Sequence, residues 1–457
     1  PCIASLPFPR CRCVRGGRVM QDYFYALSDA LFAKLKTDEQ LLLGFSGEDS
    51  DFVRMNHNRI RQAGSVAQRS LSLDLIEGQR HVQASVELVG DSEQDMAQLT
   101  GVLRKLRQQR ALLADDPYLH FATDINNTEY HHDNAVIGSH DAIEQIVQAG
   151  GDLDLVGIFA NGSQYSGFAN SIGQRNWHSS ANFNFDWSCY LDQDKAVKSN
   201  YAGFDWQQDR LADKMESTRH QLSILARPAK TLVPGAYRAY LAPSAVSEII
   251  SMMAWGGFGL KSHRTRSTPL IQMVDQGRTL SSSVSLREYH GRGLAPMFTG
   301  SGFIKPDDVQ LIENGHYKDC LVSARSAREY ASTTNTDWEY PGALDMAAGD
   351  LPEADILKEL DTGLYINNLW YLNFSDRNAC QMTGMTRFAC FWVEQGEIQA
   401  PVNVMRFDDS VYSLLGSHLL DLTQERELIL DSSTYGQRSN SSIELPGVLV
   451  SKLRLTL

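Results

Sequence analysis

The segment Arg175–Leu191 reads RNWHSSANFNFDWSCYL. Its second half alternates without a break. Phe183, Phe185, Trp187, Cys189 and Leu191 share one side, and Asn182, Asn184, Asp186, Ser188 and Tyr190 share the other. Successive side chains of a strand point to opposite faces, so this is a long strand with one apolar and one polar face. Cys189 falls on the apolar face and is expected to be a core thiol rather than a nucleophile. Upstream, Asn161-Gly162 joins Leu153–Ala160 to Tyr165–Ile172, a dipeptide that predicts a hairpin.

Further toward the N-terminus, Phe24, Leu27, Leu31 and Leu35 recur at helical spacing within Asp22–Lys36. Leu41–Phe45, Asp51–Arg61 and Gln68–Ile76 are strand-like, and Glu77-Gly78 turns the last of these into the alternating segment Arg80–Val89. Asp91–Leu113 is a long helix with Met96, Leu99, Leu103 and Leu106 on one side. Ser139–Ala149 is another, with Asp141 and Glu144 at capping-box spacing near its start. Downstream of the long strand, a helix is expected over Asp205–Ala226, and the stretch from Pro228 to Pro234 is a linker. The second half opens with a strand, Tyr237–Leu241. A helix started by Pro243-Ser244 follows, carrying Val246, Ile249, Ile250, Met253 and Trp255 until Gly256-Gly257 stops it. From Leu280 onward short strands and turns are expected, with helical segments at Pro352–Leu360 and Ser323–Tyr330. This order predicts an α+β protein of two domains. Residues 20–228 form a helix and antiparallel-sheet domain, and residues 229–457 a β-rich one. Residues 1–19, rich in proline and arginine and without periodicity, are expected to be a poorly ordered leader or an extension upstream of a start at Met20.

Composition excludes several classes. Apolar residues make up 42% of the 457 and 34 glycines add to them, enough for a sizeable core. The 42 basic and 55 acidic residues leave a net charge of −13, which repels phosphate backbones, so nucleic acid is not an expected partner. No apolar run reaches the ~18 residues of a membrane span. Scattered cysteines fit a reducing cytosol.

Chemistry-bearing motifs are scarce. HExxH, GxxxxGK[ST] and GxSxG are all absent. His131-His132-Asp133 is the most tempting metal candidate, but adjacent histidines diverge, and a polar loop is the expected reading. Cys11-Arg12-Cys13 lacks a second ligand pair. Cys380 and Cys390 lie in apolar surroundings and are expected to be buried thiols. Asp408-Asp409 is expected to be a solvated turn.

Four stretches, in order, carry a resemblance. They are Phe52-Val53-Arg54-Met55-Asn56 with Arg59-Ile60-Arg61-Gln62; Leu311-Ile312-Glu313-Asn314-Gly315; Asp361-Thr362-Gly363-Leu364-Tyr365-Ile366; and Thr383 to Ile398, with Phe391-Trp392-Val393-Glu394-Gln395-Gly396-Glu397-Ile398 at its end. Together they resemble the TldD/PmbA family, also described as modulators of DNA gyrase. The resemblance implies one of two subunit types. TldD-type chains carry HExxxH on the helix after a "VLLEP" strand, with a later cysteine, as zinc ligands. PmbA (TldE) chains lack these and act as partners of the zinc chain in a peptide-cutting heterodimer.

Here Tyr240-Leu241-Ala242-Pro243 resembles that strand. The ungapped register then puts Ser251, Met252 and Gly256 at the zinc-motif positions. No cysteine follows Cys390, and the tail near Thr434–Gln437 has none. The resemblance therefore implies a TldE-like subunit with no metal or catalytic residue of its own, zinc being supplied by a TldD-like partner. Ser247 and Ser251 would face a peptide cleft. The segments Trp370–Arg377, Met385–Phe388 and Thr333–Tyr340 depart from an ordinary PmbA. The alternative is a stand-alone homodimeric peptide-binding protein, or a hydrolase with non-zinc chemistry, thiol-based at Cys380 or Cys390.

Overall fold

A computed structural model describes residues 16–132, 136–192, 195–292 and 295–457. The chain begins with α1 (Gly16–Phe32), a run of three strands β1 (Gln40–Asn56), β2 (Arg59–Glu77) and β3 (Arg80–Glu87), then α2 (Ser92–Arg110). Next come β4 (Thr128–His132), α3 (Ser139–Gly150), β5 (Asp154–Asn170), β6 (Arg175–Asp192), β7 (Lys195–Gly203) and α4 (Gln208–Leu225). The strands form one sheet in the order β3-β2-β1-β5-β6-β4, and β7 lies beside β4 on the same edge of β6. Phe183, Phe185, Trp187 and Cys189 of β6 pack with Ile143 and Ile146 of α3 and with Leu211 and Met215 of α4. The apolar face inferred from the alternation is thus the face the helices cover.

The second half contains β8 (Gly235–Leu241), α5 (Pro243–Ala254), α6 (Leu260–Arg264), α7 (Ile271–Gln276), β9 (Leu286–Tyr289), β10 (Asp308–Glu313), β11 (His316–Tyr317), α8 (Ala324–Tyr330), β12 (Ala343–Met346) and α9 (Ile356–Leu360). It ends with β13 (Gly363–Asp376), β14 (Gln381–Glu394), β15 (Glu397–Pro401), β16 (Arg406–Ser410), β17 (Leu419–Leu430) and β18 (Ser442–Leu455). β18 pairs with both β16 and β8, so β8, β13, β14, β16 and β18 close into a ring. Closure removes the open edges that a flat sheet would expose. The apolar side of α5, with Val246, Ile249, Ile250 and Met253, is buried in the core this ring shares with β9, β10 and β12. The α+β class follows directly.

Several sequence expectations need correction. Asn161-Gly162 makes no hairpin: β5 runs straight through it, paired to β1 on one side and β6 on the other. A Cβ on Gly162 would lie 2.2 Å from the Asp49 carbonyl oxygen, and its φ is +139°. Glycine is there for close approach within the sheet, not for a turn. β5 turns into β6 only at residues 171–174, and a separate turn at His57-Asn58, both at φ 50°, divides what the sequence suggests is one strand, Asp51–Arg61. The start of α3 has no capping box. Its N-cap is Gly138, and the Ser139 hydroxyl lies 2.5 Å from Asp51 Oδ2 and 2.8 Å from Asn161 Oδ1, tying the helix to β1 and β5. The strands after Leu280 are not all short, since β13, β14 and β18 have 14 residues each.

Helix α1 begins at Gly16, four positions before Met20. Gly16 and Gly17 allow this, because a Cβ on either would meet Tyr165 Oη at 2.8 Å or Ser179 Oγ at 2.9 Å. The rest of the leader, with Cys11-Arg12-Cys13, lies outside the described residues. No described helix is long and apolar enough to cross a membrane.

Gly162→Ala should destabilise the protein by at least the ~1–3 kcal/mol of a non-glycine residue held in a sparsely populated conformation. A thermal melt checks this, and an unchanged melting temperature would show that β1 and β5 can separate locally.

Candidate functional site

The polar face of β6 looks away from the helices. β7 extends it: Asp186 lies opposite Asn200 and Ser188 opposite Lys198 in register. Against this face comes α5. Pro243 sits in its first turn, where a missing N–H costs nothing, and the N-cap Ala242 offers no side-chain bond. With Val246, Ile249, Ile250 and Met253 committed to the core, helical spacing turns Ser244, Ser247, Glu248 and Ser251 the other way.

A third wall is the strap from Leu430 to Ser442, between β17 and β18, which lies across the N-terminal sheet. The strap is pinned by Arg438, only 5% exposed. Its guanidinium donates to Asn182 Oδ1, to the Asn182 carbonyl at 3.2 Å, to Ser50 Oγ at 3.3 Å and to the Gly162 carbonyl at 3.4 Å. Its backbone N–H donates to buried Glu48 at 3.3 Å, and Gln164 Nε2 donates to its carbonyl at 2.8 Å. Burial pulls the guanidinium down to about 10, with Glu48 opposing.

Two chambers result. The smaller, about 400 Å³, lies among α5, β7 and the strap. The larger, about 530 Å³, runs along the polar face of β6 under Ser432–Thr434. Asp186, Leu430, Asp431 and Ser432 line both, so the two adjoin.

Asp186 and Glu248 face the smaller chamber. Burial raises both carboxyls above their ordinary range, and the charge of Lys198 opposes the rise in each. Lys198 Nζ is 3.8 Å from Asp186 Oδ2. Glu248 accepts no hydrogen bond from the described residues. Such carboxyls can exchange protons nearer neutral pH than exposed ones do.

Of the residues singled out in the sequence, Ser247 and Ser251 do line the smaller chamber. Met252 packs against the C-terminal core instead. Gly256 lies past the end of the helix at φ +75°, where a Cβ would come 2.8 Å from Arg377 Nη2. Arg377 donates to the Trp255 carbonyl at 2.7 Å and to the Ser267 carbonyl at 3.0 Å. The segment Trp370–Arg377 thus covers the end of α5, and Tyr340 of the Thr333–Tyr340 segment reaches the chamber wall. A zinc site of the HExxxH design does not fit these residues. Among the described residues, no three histidines, cysteines or acids stand close enough to hold a metal ion.

The remaining candidates are structural. His131 and His132 belong to β4, not to a loop. His131 Nδ1 is 2.9 Å from Ser179 Oγ and its Nε2 2.8 Å from Glu129, while Asp133 lies outside the described residues. Asp408 and Asp409 are on β16 rather than in a solvated turn, and bond Arg454 through a side-chain contact of 3.1 Å and a backbone contact of 3.1 Å. Cys380 and Cys390 are buried, and burial pushes both thiols up to about 12, so neither is a thiolate at neutral pH. Sequence reading missed Glu248, Lys198 and Arg438 as site residues. Glu248 had a signal, as the single acid on an otherwise apolar and serine-bearing helix. Arg438 had none.

This layout, a helix-covered sheet facing a closed ring across a polar cleft, is that of a known class. Residues 234–457 match the profile of the PmbA/TldA metallopeptidase C-terminal domain. The C-terminal half of the chain is thus a domain of the PmbA/TldD type. Three solved structures are similar over nearly the whole chain, each at 14% identity, which establishes the shared fold. TldE from Thermococcus kodakarensis superposes with a TM-score of 0.74, covering 96% of this chain and 100% of that one. A Thermotoga maritima protein provisionally named a modulator of a DNA gyrase gives 0.72, with 95% and 100% covered. A Bacteroides thetaiotaomicron protein with a similar provisional name gives 0.70, with 95% and 98% covered. No curated protein matches the chain significantly.

Replacing Arg438 with Met should cost about 3–5 kcal/mol, the range for removing one member of a buried charged network. A lowered urea midpoint, with faster amide exchange confined at first to residues 431–441, is the expected outcome. Unchanged exchange there would mean that the strap is held by its other bonds.

Proposed function

We propose that this chain is the zinc-free member of a two-chain, cytoplasmic metallopeptidase of the TldD/TldE kind. It shapes a cleft for extended peptides, and a TldD-like partner carrying HExxxH supplies the zinc. The observation that carries the reading is the fate of the three motif positions. Ser251 faces the cleft but is a poor zinc ligand, Met252 is turned into the core, and Gly256 sits off the helix in a conformation that disfavours any side chain. The cleft itself persists. It keeps small hydrogen-bonding side chains, among them Asn182, Ser188, Ser247 and Ser432, along its length. That lining suits a peptide main chain, whose N–H and C=O groups recur regularly along an extended segment.

The decisive experiment mixes this chain with a zinc-bearing HExxxH chain and follows cleavage of an unfolded peptide. Cleavage is expected only from the mixture, and equal cleavage by the zinc chain alone would remove the reading. The purified chain is expected to carry no stoichiometric zinc. About one zinc per chain, retained through dialysis against a weak chelator, would contradict that.

Ser251→His, Met252→Glu and Gly256→His combined should yield no peptidase activity. The last change alone should destabilise by about 1–3 kcal/mol through its backbone conformation. Chelator-sensitive cleavage by the triple variant by itself would show that α5 can re-form the motif.

A further inference from the structure

The smaller chamber has an unbalanced charge. Asp186, Glu248 and Asp431 all line it, and Lys198 is the one basic side chain in its wall. Lys198 stands 3.8 Å from Asp186, which leaves Glu248 without an ion-pair partner among the described residues. Independently of charge, the wall contains unpaired acceptors. Asn200 and Asn368 are 8% and 6% exposed, and the side-chain oxygen of each is buried with no hydrogen-bond donor. Buried acceptors are nearly always satisfied in folded proteins, so two in one chamber point to a missing donor.

We propose that this chamber is a receptor for the primary ammonium group of a peptide, whose backbone continues past Asp186 into the larger chamber. An ammonium carries a single positive charge and three donors. Those are the quantities in deficit here: a cation for Glu248, and donors for the amide oxygens of Asn200 and Asn368. Lys198 is the chain's own example of the preferred group, a primary ammonium that already faces Asp186. A metal ion fits less well, because no three acids, histidines or cysteines among the described residues converge on one point. The two chambers adjoin at Asp186 and Asp431, which sets the direction in which the rest of the peptide would run.

The proposal rests on the peptide-cleft reading but is tested without any partner. A C-terminally fluorescein-labelled Ala/Ser hexapeptide is titrated with the purified, metal-free chain, and anisotropy reports binding. Three forms are compared: free amino terminus, N-acetylated, and N-acetylated with one lysine at the second position. The free form is expected to bind at least ten-fold tighter than the plain acetylated one. Tight binding of the acetylated lysine peptide supports ammonium recognition and makes a side chain the source, whereas weak binding supports it and makes the chain terminus the source.

Glu248→Gln and, separately, Asp186→Asn should bring the free peptide toward the acetylated level. Both keep the side-chain shape, and melting curves confirm folding. Equal binding of all three peptides, no binding of any, or undiminished discrimination in both variants overturns the proposal. The subunit reading fails separately. If the zinc chain cleaves alone while amine discrimination persists, the subunit role falls and the ammonium site stands. If cleavage requires this chain but discrimination is absent, the reverse holds.

Discussion

Everything about the cleft depends on one buried arginine. Arg438 carries a full charge into the polar face of the N-terminal sheet, where it satisfies the Asn182 side chain and carbonyl, Ser50 and the Gly162 carbonyl together. Desolvating a guanidinium is costly, and the cost is offset only because these acceptors and the nearby Glu48 charge converge on it. The strap is thereby committed to lie across β6. Without it, the polar face of β6 would be open to solvent and there would be two surfaces instead of a lined cleft.

The second constraint is the division of labour on α5. One side is fully used by the core of the C-terminal ring, which fixes the rotation of the helix. That rotation decides which residues the cleft receives: Ser244, Ser247, Glu248 and Ser251. The same rotation takes Met252 out of the site. At the far end, Arg377 lies beside Gly256 and packs on the Trp255 and Phe374 rings. The Trp370–Arg377 segment therefore sits over the C-terminal end of α5, beside Gly256.

Charge in the cleft follows from this packing. Asp186 comes from β6 and Lys198 from β7, and Glu248 approaches from the other domain. Burial raises the Asp186 and Glu248 carboxyls above their ordinary range, and the charge of Lys198 opposes the rise in both. Ser247 and Ser251 provide hydroxyls beside them. The site is an assembly of two domains and a strap, and no one segment contains it.

What the sequence alone determined was local and periodic. The strict alternation at Asn182–Leu191 decides which side of β6 is core, since a one-residue shift would bury the polar set. The turn at Glu77-Gly78 and the apolar side of α5 were legible for the same reason. These are consequences of backbone periodicity and turn chemistry within a few residues. The motifs Phe391–Ile398 and Leu311–Gly315 carried the family for the same reason, being contiguous. Tertiary structure alone decided the rest. Asn161-Gly162 has the composition of a turn but serves a close approach between β5 and β1, which only the pairing of distant strands requires. Glu248, Asp186, Lys198 and Arg438 are ordinary surface-type residues in the sequence. They become a site because strands, helix and strap separated by hundreds of positions meet, and desolvation and charge coupling arise only at that meeting.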